Sequence, residues 1–496
     1  MTEYKNLTNK APLDFFKEIS LIPRGSGNEK QIAEHIEKFA LERGYFCVRD
    51  DAHNVFVRRN ASCGCEDKPS VMFQAHTDMV CEKTAESDHD FLKDPIKLII
   101  DGDIITADGT TLGADDGAGV AMMMALLDKE DLVCPETEFL FTSSEETGMD
   151  GIYAFDFSMM KSERIINLDS EDELDACISC AGGIRTDISI PVTKTALEGT
   201  PYKIEVSGLC GGHSGIAIDS GKKSAIKLMG TALDALYAEY PLHLVDIIGG
   251  GKDNVIPPCC VSYVVFYDGG DAKVAKSKLT ALQNEIKTTL IPEERKSFRI
   301  TIKKATEDEV SAMSSKGMLT LKSSSAVISA IMLMPQGVTD RTVEDNVVLA
   351  SSNCGSISIN GENLEMGCLT RACKAYYSEQ TVASISRMAH ILGGEAVRRN
   401  SYPGWEYVRG SAMQSAYSEA CKTVFGKEPS FYTIHAGLEC GVIAYNIAQR
   451  GGKADIIAIG PNMRLVHSPN EYMELSSLER LMGVSVRLLE LLGTEK

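Results

Sequence analysis

Three short apolar runs, predicted to be buried strands, each stop just before histidine or acidic side chains. The polar groups that follow these runs are, in chain order, His76 with Asp78, Glu145 with Glu146, and Asp169. Strands and helices alternate across this part of the chain, which predicts an α/β sheet covered by helices on both faces. Because ligands gather beyond the carboxyl ends of strands in such sheets, we expect these side chains to line one site.

The pair His76 and Asp78 follows the apolar run in VMFQAHTDMV. Side chains two residues apart on a strand point to the same side, so the imidazole and the carboxylate lie together. The histidine can bind a metal through one ring nitrogen while the carboxylate holds the other. Taken alone, this pair is weak evidence for a metal site, because His-x-Asp arises often by chance and a hydrogen-bonded structural histidine is the commoner interpretation.

Length and charge exclude several classes of function. The chain has 496 residues, more than one hydrophobic core usually serves, so two or more domains are expected. The formal net charge of −20 disfavours binding to nucleic acid or to an anionic membrane. The opening stretch lacks the apolar segment of a secretory signal, and no apolar run approaches about 18 residues, the length of a membrane span.

Cysteine usage predicts a reducing compartment. The fifteen cysteines are an odd number without the spacing of a disulfide framework, so we expect a cytoplasmic protein. Two close pairs, Cys63 with Cys65 and Cys259 with Cys260, could be zinc ligands. Neither has a second pair at finger-like spacing, so a structural zinc site is disfavoured.

The pattern of elements predicts an inserted domain. The first α/β pattern covers residues 1–184 and resumes over 394–496, so both parts are assigned to one domain. Between them, residues 185–393 contain two comparable sets of strands and helices. This segment is predicted to be a doubled α+β domain.

Five groups of side chains stand at predicted element ends: His76 with Asp78, Asp115 with Asp116 in TTLGADDGAG, Glu145 with Glu146, Asp169, and His467 in RLVHSPNE. Each group alone is commonplace, since acidic pairs are usually solvated and acids before a helix favour its positive end. Together they supply two imidazoles and several carboxylates, the ligands expected for zinc or another borderline divalent ion. A carboxylate shared by two ions would bring the ions within roughly 4 Å, the arrangement of two-metal hydrolases.

The succession AHTDM, GADDGAG, SSEETG, NLDSED, GGHSG and HSPNE resembles the M20 metallopeptidases. The motifs occur in the family's order over nearly the whole chain, and the resemblance is strongest to the cytosolic aminoacyl-histidine dipeptidases of bacteria. It implies a mixed-sheet, three-layer catalytic domain with two metal ions and an inserted lid. The implied activity is hydrolysis of a small peptide.

The resemblance also implies a role for each side chain of the metal centre. One metal would be held by His76 and Asp169, and a second by Glu146 and His467, with Asp115 bridging both. Asp78 would orient His76, and Glu145 would be the general acid and base. Asp116 is assigned no ligand role. Zinc is the expected metal, with cobalt or manganese as alternatives.

Three residues of the predicted lid match substrate-binding positions of the family. His213 in GGHSG would stabilise the oxyanion, Asn254 in GGGKDNVIPP would contact substrate, and Arg371 in GCLTRACK would hold a terminal carboxylate. Without the resemblance, an exposed histidine on a glycine-rich turn and a surface arginine are the simpler interpretations. The HAGLECG loop, with His435 and Glu439, is similar to a loop of the dipeptidase group and could line the substrate site.

The preferred function is hydrolysis of Xaa-His dipeptides, including β-alanyl-histidine. An N-acyl amino acid deacylase or a broader aminopeptidase is the alternative within the family. A non-catalytic binding protein is disfavoured because Glu145 and all the implied ligands are present. The long lid could imitate within one chain the dimer of relatives with a single lid. In that case His213 serves its own active site, and both monomer and homodimer remain open.

Overall fold

The structure, a computed structural model, describes residues 11–267, 272–344 and 346–495. The first ten residues, part of the stretch used to exclude a secretory signal, lie outside this range. No helix of the described ranges is both long and apolar enough to cross a membrane. The α-helices are α1 (Pro12–Ile19), α2 (Lys30–Glu42), α3 (Ala114–Asp128), α4 (Asp150–Ala154), α5 (Ala225–Tyr237), α6 (Ala272–Thr289), α7 (Pro292–Ser297), α8 (Glu307–Ser314), α9 (Leu321–Leu333), α10 (Ala375–Ile391), α11 (Ala412–Phe425), α12 (Glu439–Gln449) and α13 (Leu475–Thr494).

Most strands belong to two large sheets. In chain order the strands are β1 (Phe46–Arg49), β2 (Val55–Arg59), β3 (Val71–His76), β4 (Leu98–Asp101), β5 (Ile104–Ala107), β6 (Thr137–Thr142), β7 (Arg164–Asn167), β8 (Asp175–Cys180), β9 (Gly182–Pro191), β10 (Lys194–Thr195), β11 (Tyr202–Ser207), β12 (Gly212–His213), β13 (Leu242–Gly250), β14 (Val255–Ile256), β15 (Cys260–Phe266), β16 (Arg299–Lys304), β17 (Met318–Leu319), β18 (Gly337–Arg341), β19 (Val348–Asn360), β20 (Asn363–Ala372), β21 (Glu395–Tyr402), β22 (Ser430–Ile434), β23 (Asp455–Ala458), β24 (Met463–Arg464) and β25 (Tyr472–Glu474).

The chain forms two compact units, which we call the outer unit and the inserted unit. The outer unit comprises residues 1–179, 407–433 and 438–496, and the inserted unit comprises residues 180–406 and 434–437. The predicted domain borders, at 184/185 and 393/394, fall inside the inserted unit. Its first segment is longer because β9 begins at Gly182 and pairs with β21, which ends at Tyr402.

The outer unit is built on a mixed eight-stranded sheet in the order β1-β2-β6-β3-β7-β23-β8-β22. Strands β6, β3, β7 and β23 run parallel, while β1, β2 and β8 pair antiparallel with their neighbours. The central strands are apolar and fully buried, as expected for parallel strands covered on both faces. The predicted mixed α/β fold is confirmed.

The parallel strands end next to the candidate side chains. Strand β3 ends at His76, β6 ends shortly before Glu145, and β7 ends shortly before Asp169. Because these strands are parallel and adjacent, their carboxyl ends meet at one edge of the sheet. A smaller sheet in the order β24-β25-β5-β4 holds the loop that carries His467.

The inserted unit contains one antiparallel sheet of nine strands, in the order β16-β11-β15-β13-β19-β20-β9-β21, with β18 also paired to β19. The two predicted sets of elements are joined where β13 pairs with β19. A single apolar core contains residues of both sets, including Leu233 of α5 and Ile385 of α10. The doubled pattern in the sequence therefore folds around one core.

Sequence patterns did not indicate strands β9, β13 and β21. Strand β21 lies at the sheet edge and is polar and largely exposed, so it has no alternating apolar pattern. Strand β13 ends in two glycines and β9 begins with two, and glycine pairs are typical of turns. Pairing with distant strands, rather than local composition, makes these segments extended.

We predict that Phe298→Ala destabilises the inserted unit by about 3 to 5 kcal/mol. Phe298 is fully buried in its core, so truncation leaves a cavity. The only tryptophan of the chain, Trp405, is 5% exposed and lies in this unit, so tryptophan fluorescence during urea unfolding reports on it. As a control, Val343→Ala removes a side chain that is 99% exposed and should change stability little. Equal midpoints for the two variants would contradict the assignment of this core.

Candidate functional site

The carboxylate of Asp115 lies between two imidazoles in the outer unit. Its Oδ1 is 3.1 Å from Nε2 of His76, and its Oδ2 is 3.1 Å from Nε2 of His467. Nε2 of His467 also lies 2.9 Å from Oε1 of Glu146. Ligand atoms of His76, Asp115 and Glu146 all lie within 4.8 Å of one another. One carboxylate that faces a different imidazole with each oxygen has the geometry of a bridging ligand.

The electrostatics of this cluster favour added positive charge. Hydrogen bonds to Asp115 and Glu146 raise the pKa of His467 to about 11. Burial, followed by the charge of Asp115, raises the pKa of Asp169 well above its ordinary value. Divalent cations displace protons from such ligands, and the nitrogen and oxygen donors suit zinc or a similar ion. The residues present therefore fit a divalent metal centre.

Glu145 is the free carboxyl beside this centre. Burial, together with the neighbouring carboxylates of Glu146 and Asp115, raises its pKa to about 7. A carboxyl group with a pKa near neutrality can accept a proton and later return it.

Asp78 connects His76 to the backbone of the two glutamates. Its Oδ1 lies 3.4 Å from Nδ1 of His76 and accepts a hydrogen bond from the backbone N–H of Glu145 at 3.0 Å. Its Oδ2 accepts from Ser26 Oγ at 2.7 Å and from the backbone N–H of Glu146 at 3.3 Å. Burial raises the pKa of Asp78, but hydrogen bonds from His76 and Ser26 outweigh it, so the pKa is lowered. The carboxylate therefore stays ionised and orients the ring.

The loop that carries Asp115 is held by a buried glutamate. Oε2 of Glu471 accepts backbone N–H groups of Leu112 at 2.8 Å and Gly113 at 3.0 Å, and Oε1 accepts that of Ala114 at 2.8 Å. Gly113 has a φ of 69°, in the left-handed region that favours glycine. The peptide bond between Asp115 and Asp116 is cis. Glu471 thus fixes the backbone from which the bridging carboxylate projects.

Two residues of this site, Arg24 and Ser26, come from the motif PRGSGNE near the amino terminus of the chain. The sequence alone indicated no chemical role for this motif. Arg24 is 2% exposed and donates hydrogen bonds to the backbone carbonyls of Thr77 at 3.1 Å, Asp78 at 3.2 Å and Gly113 at 2.5 Å. Ser26 contacts Asp78 as described above. Sequence reasoning also missed Glu471, although it belongs to the HSPNE motif, because only the histidine of that motif is a typical metal ligand.

Asp116 and Glu439, whose roles the sequence left open, are both buried in the outer unit. Asp116 accepts the backbone N–H groups of His76 at 3.3 Å and Gly119 at 3.1 Å, so it shapes the loop. Glu439 accepts hydrogen bonds from Gln74 at 2.5 Å and from Thr142 at 2.8 Å. Burial raises the pKa of Glu439 to about 8, so it is mostly protonated at neutral pH.

In the inserted unit, His213 is a neutral imidazole with a donor near each ring nitrogen. The backbone N–H of Gly215 lies 3.3 Å from Nδ1 of His213, and the guanidinium of Arg371 lies 3.5 Å from Nε2. Burial, and then the charge of Arg371, lowers the pKa of the imidazole. The backbone carbonyl of Asn254 accepts the N–H of Ser214 at 2.8 Å and so fixes the turn. His213 is therefore an uncharged imidazole held beside a cation.

Arg371 is a buried cation in the same unit. It is 4% exposed, and Nη1 donates to the hydroxyl of Tyr402 at 2.7 Å. Its Nη2 lies 3.5 Å from Nε2 of His213. Among the described residues, no carboxylate forms an ion pair with Arg371.

His435 extends this polar cluster without adding charge. Its Nε2 shares a hydrogen bond of 2.7 Å with Ser351 Oγ. Burial, and then Arg371, lowers its pKa to about 4, so the ring is neutral at physiological pH. The cluster is therefore positive and suited to an anion.

The structure thus collects the candidate residues in two groups. The outer unit brings together the predicted ligands and their neighbours: His76, Asp78, Asp115, Glu145, Glu146, Asp169 and His467. The inserted unit brings together the predicted substrate-binding residues His213, Asn254 and Arg371.

A mixed sheet with imidazoles and carboxylates at the ends of its parallel strands, beside a free glutamate, defines the class of metal-dependent hydrolases. The sequence profile of peptidase family M20/M25/M40 matches residues 72–491. The chain belongs to this family.

Individual relatives match along the full chain. The cytosol non-specific dipeptidase of Escherichia coli (strain K12) is 33% identical over 494 residues, which cover 99% of each chain. The crystal structure of an aminoacylhistidine dipeptidase from Vibrio alginolyticus matches with a TM-score of 0.89 and 30% identity, again over 99% of each chain. A tripeptidase from Staphylococcus aureus, with a TM-score of 0.58 and 15% identity over 99% of this chain, shows the fold alone. The predicted family and fold are confirmed.

We predict that Glu471→Ala weakens metal binding by about 10- to 100-fold. The loop that carries Asp115 would lose the carboxylate that accepts hydrogen bonds from its backbone N–H groups. Metal content is measured after dialysis against buffered free zinc, with circular dichroism to verify folding. Glu479→Ala is the control, since Glu479 is an exposed glutamate of α13 in the same unit. Equal zinc affinity in the two variants would show that Glu471 does not support the centre.

Proposed function

We propose that this protein hydrolyses dipeptides at a centre of two divalent cations. The observation that carries the proposal is Asp115, whose two oxygens each face a different imidazole. The names of the relatives from Escherichia coli and Vibrio alginolyticus support dipeptides as the substrate class. The preferred substrates are Xaa-His dipeptides, including β-alanyl-histidine.

Five side chains would hold the cations. His76 and Asp169 would bind one ion, Glu146 and His467 the other, and Asp115 both. When bound, the cations would supply Lewis acidity, which lowers the pKa of a coordinated water to about 7 and polarises the scissile carbonyl. Zinc suits this donor set best, and cobalt or manganese also fit it.

Glu145 moves the proton of the reaction. Its carboxylate would take a proton from the attacking water and pass it to the leaving amine nitrogen. The hydrogen bond from its backbone N–H to Asp78 holds Glu145 in place. Asp78 also sets the orientation of His76, so one carboxylate aligns the base and a ligand.

The residues of the inserted unit would bind the substrate. His213 would donate a ring N–H to the oxyanion, and loss of this donor would raise the barrier by about 3 to 4 kcal/mol. Arg371 would bind the terminal carboxylate of the substrate, because among the described residues no carboxylate forms an ion pair with it. Asn254, whose backbone carbonyl accepts the N–H of Ser214 beside His213, would contact the substrate.

An N-acyl amino acid deacylase or a broader aminopeptidase is the alternative. Arg371 would bind the carboxylate of an acyl amino acid as well as that of a dipeptide, so the anion site suits both classes. A panel of dipeptides, longer peptides and N-acyl amino acids separates them. Faster hydrolysis of acyl amino acids than of any dipeptide would replace the proposed substrate class.

We also propose that the protein acts in the cytoplasm. The odd number of cysteines favours a reducing compartment, and the relative from Escherichia coli carries the word cytosol in its name. Detection of the protein in a secreted fraction without lysis would contradict this assignment.

We predict that Glu145→Gln lowers kcat for dipeptides by about 100- to 10,000-fold while metal content stays near normal. The amide keeps the size of the side chain but cannot accept the proton. Glu130→Gln, at an exposed position of the same unit, is the control for loss of a surface charge. Turnover at the original rate would remove Glu145 from the role of base.

We predict that His213 acts within its own chain. The two sets of elements in the inserted unit share one sheet and one core, so a single chain contains the doubled lid. Mixtures of Glu145→Ala chains with His213→Ala chains should therefore stay inactive, and verified monomers should keep full activity. Each variant mixed with the unmodified protein provides the control for subunit exchange. Recovery of activity in the mixture of the two variants would show that His213 acts in the partner chain.

A further inference from the structure

Tyr402 contacts the buried cation of the inserted unit. Its hydroxyl oxygen accepts a hydrogen bond from Nη1 of Arg371 at 2.7 Å. The tyrosine ends β21, while the arginine lies near the end of β20. Both strands pair with β9, so the sheet itself sets the separation of the two side chains.

The ring of Tyr402 lies in a slot between Gly183 and Gly437. A Cβ atom added at Gly183 would lie 2.5 Å from Cζ of the ring, and one added at Gly437 would lie 2.8 Å from Cε2. Neither approach is possible for a residue with a side chain. Gly183 belongs to β9, and Gly437 belongs to the HAGLECG loop that also carries His435. Two separate segments of the inserted unit therefore lack side chains where the ring lies.

The hydrogen bond to Arg371 leaves the hydroxyl proton of Tyr402 available. The guanidinium has only donors, so the tyrosine oxygen accepts and its O–H remains free to donate. No acceptor for this O–H is found in the parts of the chain that the structure describes. Burial raises the pKa of Tyr402, so the hydroxyl stays protonated.

Arg371 itself needs a further partner. Its Nε–H is buried and makes no hydrogen bond within the described residues. A buried guanidinium without a carboxylate partner is unfavourable unless an anion joins it. The unused donors of Arg371 and Tyr402 therefore belong to one positively charged site.

We propose that Tyr402 is a second carboxylate-binding residue of this protein. It positions the guanidinium of Arg371 and donates its O–H to the same terminal carboxylate of the substrate. The inference rests on the proposed function, in which Arg371 binds that carboxylate, and adds a specificity-determining residue to it. A tyrosine that only fills the slot between Gly183 and Gly437 would have no effect on carboxylate selection.

The test is Tyr402→Phe, which keeps the ring in its slot and removes the hydroxyl. KM for a dipeptide should rise about 10-fold with kcat nearly unchanged, since a hydrogen bond to a charged group is lost. The corresponding dipeptide amide, which lacks the carboxylate, should be bound equally by both proteins. Tyr376→Phe, at a tyrosine of the same unit that is 66% exposed, is the matched control. An equal loss on acid and amide would overturn the inference.

Arg371→Met separates this inference from the proposed function. If Arg371→Met leaves KM for the dipeptide unchanged, the proposed carboxylate site fails, and Tyr402 loses its role with it. If Arg371→Met raises KM but Tyr402→Phe does not, only the inference about Tyr402 is wrong. In the Arg371→Met background, Tyr402→Phe should raise KM for the dipeptide by a smaller factor than in the unmodified protein, because the two groups bind the same carboxylate.

Calorimetric titration provides a readout that does not depend on turnover. Free histidine, which carries a carboxylate, should bind about 10-fold more weakly to Tyr402→Phe, whereas histidinamide should bind both proteins equally. Unchanged binding of histidine would overturn the inference even if the protein hydrolyses none of the peptides tested.

Discussion

The metal centre depends on one carboxylate held between two histidines. His76 ends a central strand and His467 lies in a loop near the other end of the chain, yet each faces one oxygen of Asp115. Asp115 projects from a loop whose backbone N–H groups are held by Glu471 and whose Gly113 carbonyl accepts from Arg24. Loss of these supports would leave the imidazoles in place but without a common ligand.

The outer unit concentrates negative charge at the carboxyl ends of its parallel strands, and this has an electrostatic cost. The raised pKa values of Asp169 and Glu145 express that cost, since burial and neighbouring carboxylates disfavour ionisation. The fold offsets it elsewhere, because the carboxylates of Asp78 and Glu471 accept backbone N–H groups. Cations would offset the remainder, which is why the site fits divalent metals better than a neutral ligand.

The inserted unit has the opposite character. Arg371 is buried among His213, His435 and Tyr402, none of which carries a negative charge at neutral pH. His213 is neutral, and its ring nitrogens face the N–H of Gly215 and the guanidinium of Arg371. The outer unit thus gathers imidazoles and carboxylates, whereas the inserted unit gathers a cation and neutral polar groups.

The sequence by itself determined the mixed α/β fold and the family, and it predicted the candidate site residues, because strand periodicity and short motifs are local properties of the chain. It did not identify Arg24, Ser26, Glu471 or Tyr402 as parts of the sites. Arg24 donates hydrogen bonds to the backbone carbonyls of Thr77 and Gly113. Tyr402 accepts a hydrogen bond from Arg371, and its ring packs against two glycines from distant segments. The edge strand β21 escaped notice for the same reason, since its pairing with β9 defines it. Only the tertiary structure decides such contacts, because they join residues far apart in the chain and leave no local pattern.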